Sequence, residues 1–446
     1  MKLLLLAPSR NQKRSRFLRI PLLTLDVIAT LTPPDIEVDI VEEETAKIDF
    51  GKDYDLVGIS CMTAAAPRAY ELASVFRKKG AKVVLGGIHP TVMPQEAIRH
   101  CDSVVIGEAE GCWGRLIADF KENQLQKFYK SLNFDLKEFP IPKRNSNHKK
   151  YPFSMLPIFT TRGCPYHCEF CSVTDLYGKK LRHRRVADIV KEIIQIQGKK
   201  FLFLDDNITG DVKFATELFT ALSDLGIDWV GQASISLANN KNLLRLAKKS
   251  GCLALFIGLE SVSTGALEKL NKTLKSLKKH DQAIRIIQDA GIMFHASVIF
   301  GFDEDGESIF EKTLEFLTKH RIVSVTFNIL TPYPGTEIFK RFEKQGRLLN
   351  RNWEDYNHNT VVFKPKNMTP EQLAEGYMWA GRNFYSVTSI FQRFFKYWNH
   401  PLLYLFTNLA FHRSYRDGRD PLPSFDSTQA QGGDSSTALT VPEQGR

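Results

Sequence analysis

No run of about 20 apolar residues occurs anywhere in the chain, which argues against a membrane-spanning helix. The first apolar run, residues 1–7, stops at Pro8 and is followed by Arg10, Lys13, Arg14 and Arg16, too short a pattern for a signal peptide. Cysteine is sparse and odd in number at seven. Three of the seven crowd between Cys164 and Cys171, while Cys61, Cys101, Cys112 and Cys252 are scattered, so reduced thiols and a metal site are expected rather than a disulfide framework. Zinc-finger spacing, the aromatic signature of RNA-binding sheets and internal repeats are also missing. The expectation is a cytoplasmic protein without a nucleic-acid partner.

What is present begins with length. At 446 residues the chain can bury more than one core without staples. Its net charge of +10 suits nucleic acid, an anionic membrane or an acidic substrate equally. The basic residues gather at 10–19, 143–150 and 179–185.

Hydrophobic patterning divides the chain. Strands are predicted at 2–6, 36–41, 56–60, 82–86 and 103–106, with helices at 21–31 and 67–79, so residues 1–122 read as a Rossmann-like or flavodoxin-like α/β domain. Ligands in such sheets lie beyond the carboxyl ends of the strands, here Ser60 to Thr63, Gly86 to Pro90 and Gly107 to Gly111. Residues 123–152, polar and basic with Pro140 and Pro142, read as a linker. Six further strands, at 156–161, 201–204, 229–234, 253–259, 294–300 and 323–330, alternate with helical patterns and predict a partial (β/α)6 barrel over 153–365. Residues 366–416 read as a helical, aromatic C-terminal region, and 417–446 as a disordered tail.

The chemistry is concentrated after the first barrel strand, in Cys164, Cys168 and Cys171. A cubane held by four thiolates is saturated and moves electrons, whereas three ligands leave one iron open. The open iron suits chelation of S-adenosylmethionine (SAM) through its amino and carboxylate groups. Zinc is the competing reading, but it wants a fourth ligand, and His167 lies between two of the cysteines where it bends poorly back to the same ion. Cys252, in an apolar strand entry, is expected in the core.

The run from Arg162 to Cys171 (RGCPYHCEFC) closely resembles the cluster loop of the radical SAM superfamily, in the class with an N-terminal cobalamin-binding-like domain. The resemblance spans about residues 1–365. It implies a 4Fe-4S cluster on the three cysteines and SAM contacts from Phe170, Asp205, Asp206, Ser234, Glu260, Ser261, Phe300 and Gly301. In the N-terminal half it implies cobalamin contacts from Ser60, Thr63, Gly86, Gly87, His89, Glu108 and Glu110. The Asp-x-His-x-x-Gly motif that holds cobalt from below in some cobalamin proteins is missing, so cobalamin is expected without a lower histidine; the alternative is a degenerate module that only shapes the substrate channel. His89 sits in a turn and suits a structural role better than cobalt ligation.

The resemblance implies cobalamin-dependent methylation of an unactivated carbon in a hydrophobic lipid, isoprenoid or tetrapyrrole substrate, fed by an external donor such as flavodoxin or ferredoxin. Two other activities stay open: a radical oxidoreductase or cyclase without methyl transfer, and a tRNA methylthiotransferase. The stretch 391–398, which pairs aromatic with basic residues and precedes the apolar run 401–406, suits either packing on the barrel or peripheral contact with the inner face of a membrane. Tyr177, Tyr333 and His295 are candidates for quenching a radical or taking a proton.

Overall fold

The computed structural model describes residues 1–9, 22–144, 155–269, 277–394 and 401–417. The basic run 10–19, the end of the predicted linker, residues 395–398 of the aromatic stretch and almost all of the predicted tail lie outside the described residues.

The N-terminal sheet is built from β1 (Lys2–Ala7), β2 (Glu37–Glu42), β3 (Leu56–Ser60), β4 (Lys82–Gly86), β5 (Ser103–Gly107) and β6 (Phe128–Ser131). Its order is β2-β1-β3-β4-β5-β6, and every pair is parallel. Burial on both faces explains the uninterrupted leucines of β1. Leu4 and Leu6 pack under the helix Ala66–Lys78 through Leu72 and Phe76, and Leu3 and Leu5 pack under Leu25, Ile28, Trp113 and Leu116 on the other side. Five strands were expected. The sixth comes from the stretch read as a linker: FYKS is short and mostly polar, and its pairing with β5 defines it.

The second sheet follows the sequence reading strand for strand. Its members are β7 (Leu156–Ile158), β10 (Lys200–Phe203), β11 (Asp228–Ala233), β12 (Cys252–Glu260), β13 (Met293–Phe300) and β14 (Ser324–Ile329), while β8 (Thr161–Arg162) and β9 (Arg182–His183) form a separate antiparallel hairpin. The order β14-β13-β12-β11-β10-β7 is parallel throughout and leaves β7 and β14 at the two edges of a partial barrel. Cys252 is fully buried in the core beneath it.

The C-terminal helices close one of those edges. The helix Pro370–Phe384 starts with a capping box, in which Thr369 and Gln372 each bond the other's backbone N–H. Beyond it the Tyr385 hydroxyl donates to Val325 O at 2.6 Å and accepts from Val325 N at 2.8 Å, occupying backbone groups of β14. Buried Arg393 donates to Ile322 O, Val323 O and Phe384 O. So part of the aromatic and basic stretch packs on the barrel, while Val387, Phe391, Leu402, Phe406 and Leu409 turn outward to solvent. Among the described residues no helix is long and apolar enough to cross a membrane.

Candidate active site

Two cavities lie at the carboxyl ends of the two sheets. The chain passes from β1 outward to β2 and then back across to β3, so the strand ends of β1 and β3 form a topological switch point. A cavity of about 330 Å³ opens there. Its floor is apolar, with Leu5, Ile28, Ile59, Val84, Val105 and Trp113, and its rim holds Ser60, Gly86, Gly87, Glu108 and Glu110. Gly87 must be glycine: its φ is +96° and a Cβ would stand 2.7 Å from Cys61 O. Thr91 ties the rim together, donating to Gly87 O and accepting from Gly107 N. An apolar floor edged by small and polar groups fits the face of a corrin, and among the described residues that line it there is no histidine. His89 lies elsewhere, fully buried, with Nε2 at 3.1 Å from the Tyr70 hydroxyl and 3.2 Å from Glu96, and its ring against Trp353. It joins the N-terminal domain to the segment after the barrel and does not line the cavity.

The barrel chamber, about 440 Å³, gathers Cys164, Cys168 and Cys171 with Phe170, Asp206, Ser234 and Glu260. The donor set fits a cubane, which takes each thiolate on a separate iron. Burial pushes the Cys171 thiol up to about 12, and Cys168, Asp206 and Cys164 nearby add to it. The Cys171 thiol therefore ionises only beside a cation, which is what a cluster provides. Asp206 is likewise raised to about 7, by burial first and by Asp205 second. An incoming ammonium group would restore its charge. Glu260 stands at φ +63°, left-handed for a non-glycine residue, where the register between β12 and β13 shifts. Such strain persists where the surroundings hold a side chain in place for a task.

Other residues expected at SAM stand one layer behind. Asp205 accepts from Thr160 N, Thr160 Oγ1 and Thr161 N, bracing the chain just ahead of the cluster loop. Ser261 is buried and accepts from Ser263 N. Phe300 packs between Phe310 and Phe327, and Gly301 donates to Asp305. Side chains alternate across a strand, so Ile299 rather than Phe300 faces the chamber. Thr63, expected at cobalamin, lines the barrel chamber instead, with Met62, Ala64 and Ile88. Met62 and Ile88 line both cavities, so the two spaces adjoin across the domain boundary.

Residues 158–317 match the Radical SAM superfamily, residues 26–116 the B12 binding domain, and residues 336–402 a domain of unknown function, DUF4070. Bacteriochlorophyllide d C-12(1)-methyltransferase of Chlorobaculum tepidum is 32% identical over 385 residues, which cover 83% of this chain and 84% of that protein. The chain belongs to the radical SAM superfamily, in the branch with a B12-binding domain. Bacteriochlorophyllide d C-8(2)-methyltransferase of the same organism is 31% identical, with 78% and 82% of the two chains covered. Radical SAM methyltransferase TsrM from Kitasatospora setae, solved with cobalamin and a 4Fe-4S cluster, has the same fold at 16% identity, with a TM-score of 0.66 over 84% of this chain and 81% of that one. This radical SAM protein is an enzyme whose cofactors are a 4Fe-4S cluster, SAM and cobalamin.

Several residues lining the radical SAM chamber escaped the sequence reading: Gln232, Phe256, Ser297, Thr326, Asn328 and Tyr356. A signal was present, because His295, Ser297, Thr326 and Asn328 recur at every second position of β13 and β14, where a sheet buried on both faces should be apolar. Tyr333 and His295 line this chamber, whereas Tyr177 lines the B12-domain cavity. Tyr333 is paired with His358 at 3.0 Å.

His295 is buried between Ser324 and Thr326, at 2.7 and 2.8 Å, and burial lowers its pKa to about 3. It stays neutral in the fold, while in the unfolded chain it takes a proton below about pH 6.5. Its contribution is thus complete above that pH and lost as pH falls toward 3. Wild-type stability should drop by about 2 kcal/mol more between about pH 7 and pH 5 than that of His295→Gln. Chemical unfolding of both proteins at the two pH values measures this, and parallel pH slopes would show that His295 takes a proton in the fold as readily as in the unfolded chain.

Proposed function

We propose that this enzyme is a cobalamin-dependent C-methyltransferase acting on an unactivated carbon of a hydrophobic substrate of tetrapyrrole or isoprenoid type. The observation that carries the reading is the chamber itself: three cysteines form one wall, and Met62, Thr63, Ala64 and Ile88 of the B12-binding domain form another. When bound, the cluster with SAM supplies a deoxyadenosyl radical and cobalamin supplies the methyl group.

The chain's own residues do the rest. Asp206, Ser234 and Glu260 offer polar contacts to SAM, and Tyr166 is held beside them by its hydroxyl at 3.0 Å from Ser236. Phe170, Phe256, Tyr333 and Tyr356 give the chamber an aromatic lining, and no Lys or Arg occurs among the described residues of its wall. That lining suits a flat, apolar substrate and keeps water from a reactive carbon. It disfavours nucleic acid, which needs basic contacts. A small reduced flavodoxin or ferredoxin is the donor this chemistry asks for. The outward apolar stripe of Leu402, Phe406 and Leu409, with Arg413 and Arg416 exposed beyond it, suits an anionic membrane surface from which such a substrate would be drawn.

The test is anaerobic reconstitution with iron, sulfide, cobalamin and SAM, followed by incubation with bacteriochlorophyllide or isoprenoid extracts. The expected product is heavier by one CH2, with deoxyadenosine and S-adenosylhomocysteine formed in equal amounts. Deoxyadenosine without S-adenosylhomocysteine would replace this reading with a radical oxidoreductase or cyclase.

A further inference from the structure

The β8–β9 hairpin is small, yet residues 163–181, which include all three cysteines, lie between its two strands. Its register places Arg162 opposite Arg182. Both arginines reach across the domain boundary to one carboxylate, Glu108, the first residue after β5. Arg162 Nη1 donates to Glu108 Oε1 at 2.5 Å and Arg182 Nη1 to Glu108 Oε2 at 2.8 Å. Arg162 Nη2 donates to Glu110 Oε1 at 2.5 Å. The other end of the grip is closed by Phe134, whose N–H donates to Glu108 and whose carbonyl accepts from Arg182.

Glu108 is 3% exposed, so this is an ion-paired cluster shut away from water. Burial alone would raise the Glu108 pKa, but Arg162 and Arg182 outweigh it and hold the carboxyl below its ordinary value. A buried carboxylate with two guanidinium partners tolerates no loss of either without leaving a charge uncompensated. The arrangement is also stiff. Arg162 lies over the rings of Phe159 at 4.6 Å and Tyr177 at 5.5 Å. Gly163 follows at φ +95°, where a Cβ would stand 2.8 Å from Lys180 O, so the turn into Cys164 has no slack. Glu108, Glu110, Arg162 and Tyr177 all line the B12-domain cavity. The two carboxylates read from sequence as cobalamin contacts are therefore committed to arginines, at the rim of the space a corrin would occupy.

We propose that Glu108 and Arg162 are positioning residues, a latch that fixes the cluster loop against the carboxyl end of β5 and so sets the separation between the cluster and the cobalamin cavity. The role in methyl transfer rests on the function proposed above; the mechanical link between the two domains does not. Near-attack geometry is steep, and a displacement of about 1 Å lowers a reaction about a hundredfold. The expected signature is uncoupling: SAM is still cleaved, but radicals are spent without product.

The test uses the full chain with Glu108→Gln and, separately, Arg162→Lys, which keeps the charge but lacks the fork that spans Glu108 and Glu110. In the cofactor-free protein, hydrogen exchange over residues 163–181 should speed up about tenfold or more in both variants, with the strands of both sheets unchanged. In wild type, added hydroxocobalamin should slow exchange in the same segment, and in Glu108→Gln it should not. With reconstituted enzyme, the ratio of deoxyadenosine to methylated product should rise about tenfold or more. Should Glu108→Gln fail to fold, Arg162→Lys carries the same three measurements. Unchanged exchange over 163–181 in a folded variant, or an unchanged product ratio, would overturn the latch. If wild type yields no methylated product at all, the function falls while the exchange measurements still decide the latch.

Discussion

Alanine at any one of Cys164, Cys168 or Cys171 should abolish SAM cleavage and bleach the brown chromophore of the anaerobically prepared protein. The three thiols line one chamber and have no substitute there, since Cys61, Cys101, Cys112 and Cys252 are buried in the two cores. A cubane with two protein ligands would be lost or left too exposed to hold SAM in one orientation. The effect on deoxyadenosine formation should therefore be complete rather than graded. Global stability should change far less, because Cys164 and Cys171 are only partly buried and the barrel core does not include them. Iron analysis, the optical spectrum and chromatographic detection of deoxyadenosine check each variant. Retention of the wild-type cleavage rate by one of them, or zinc in place of iron in the parent, would end the radical mechanism.

A second large effect is expected at Glu260. Its left-handed backbone holds the side chain at the end of β12, inside the chamber. Losing a hydrogen bond to a charged group costs about 1.5–3 kcal/mol, so Glu260→Ala should weaken SAM binding by roughly ten- to a hundredfold. Glu260→Gly separates two causes, since glycine accepts φ +63° without strain and still lacks the carboxylate. Both variants should lose affinity alike, and glycine should leave the fold the more stable of the two. Calorimetric titration of SAM into reconstituted protein reads the affinity, and thermal unfolding reads the stability. Wild-type affinity in Glu260→Gly would remove the carboxylate from the site and leave its backbone geometry as the only function of that position.

Much of this architecture was legible because the strands announce themselves. Buried parallel strands need apolar residues on both faces, and runs such as KLLLLA and KVVLG carry that demand openly. The cysteine spacing is equally plain, since metal geometry dictates it. What stayed hidden depends on facing and on distance. Asp205 and Asp206 are neighbours, yet only Asp206 lines the chamber, and Ile299 and Phe300 divide in the same way. A motif locates the end of a strand but not which of two adjacent side chains turns inward. Glu108 illustrates the second obstacle. A carboxylate at a strand end serves a ligand or an arginine equally well, and its partners Arg162 and Arg182 lie more than 50 positions away. Strand β6 was missed for a related reason: its four residues pair with β5 through backbone groups that leave no mark in composition.

The hydroxyl of Tyr385 has a bearing on how the molecule survives outside its folded assembly. An unpaired border of a sheet is a template on which another polypeptide can add itself, and proteins that leave one bare tend to precipitate. By giving Val325 both a donor and an acceptor, the C-terminal helices act as a bumper along the last strand of the barrel. A shortened version ending before residue 366 would keep every cysteine and yet be expected to stick to its own kind, so solubility rather than chemistry is what the C-terminal region protects first.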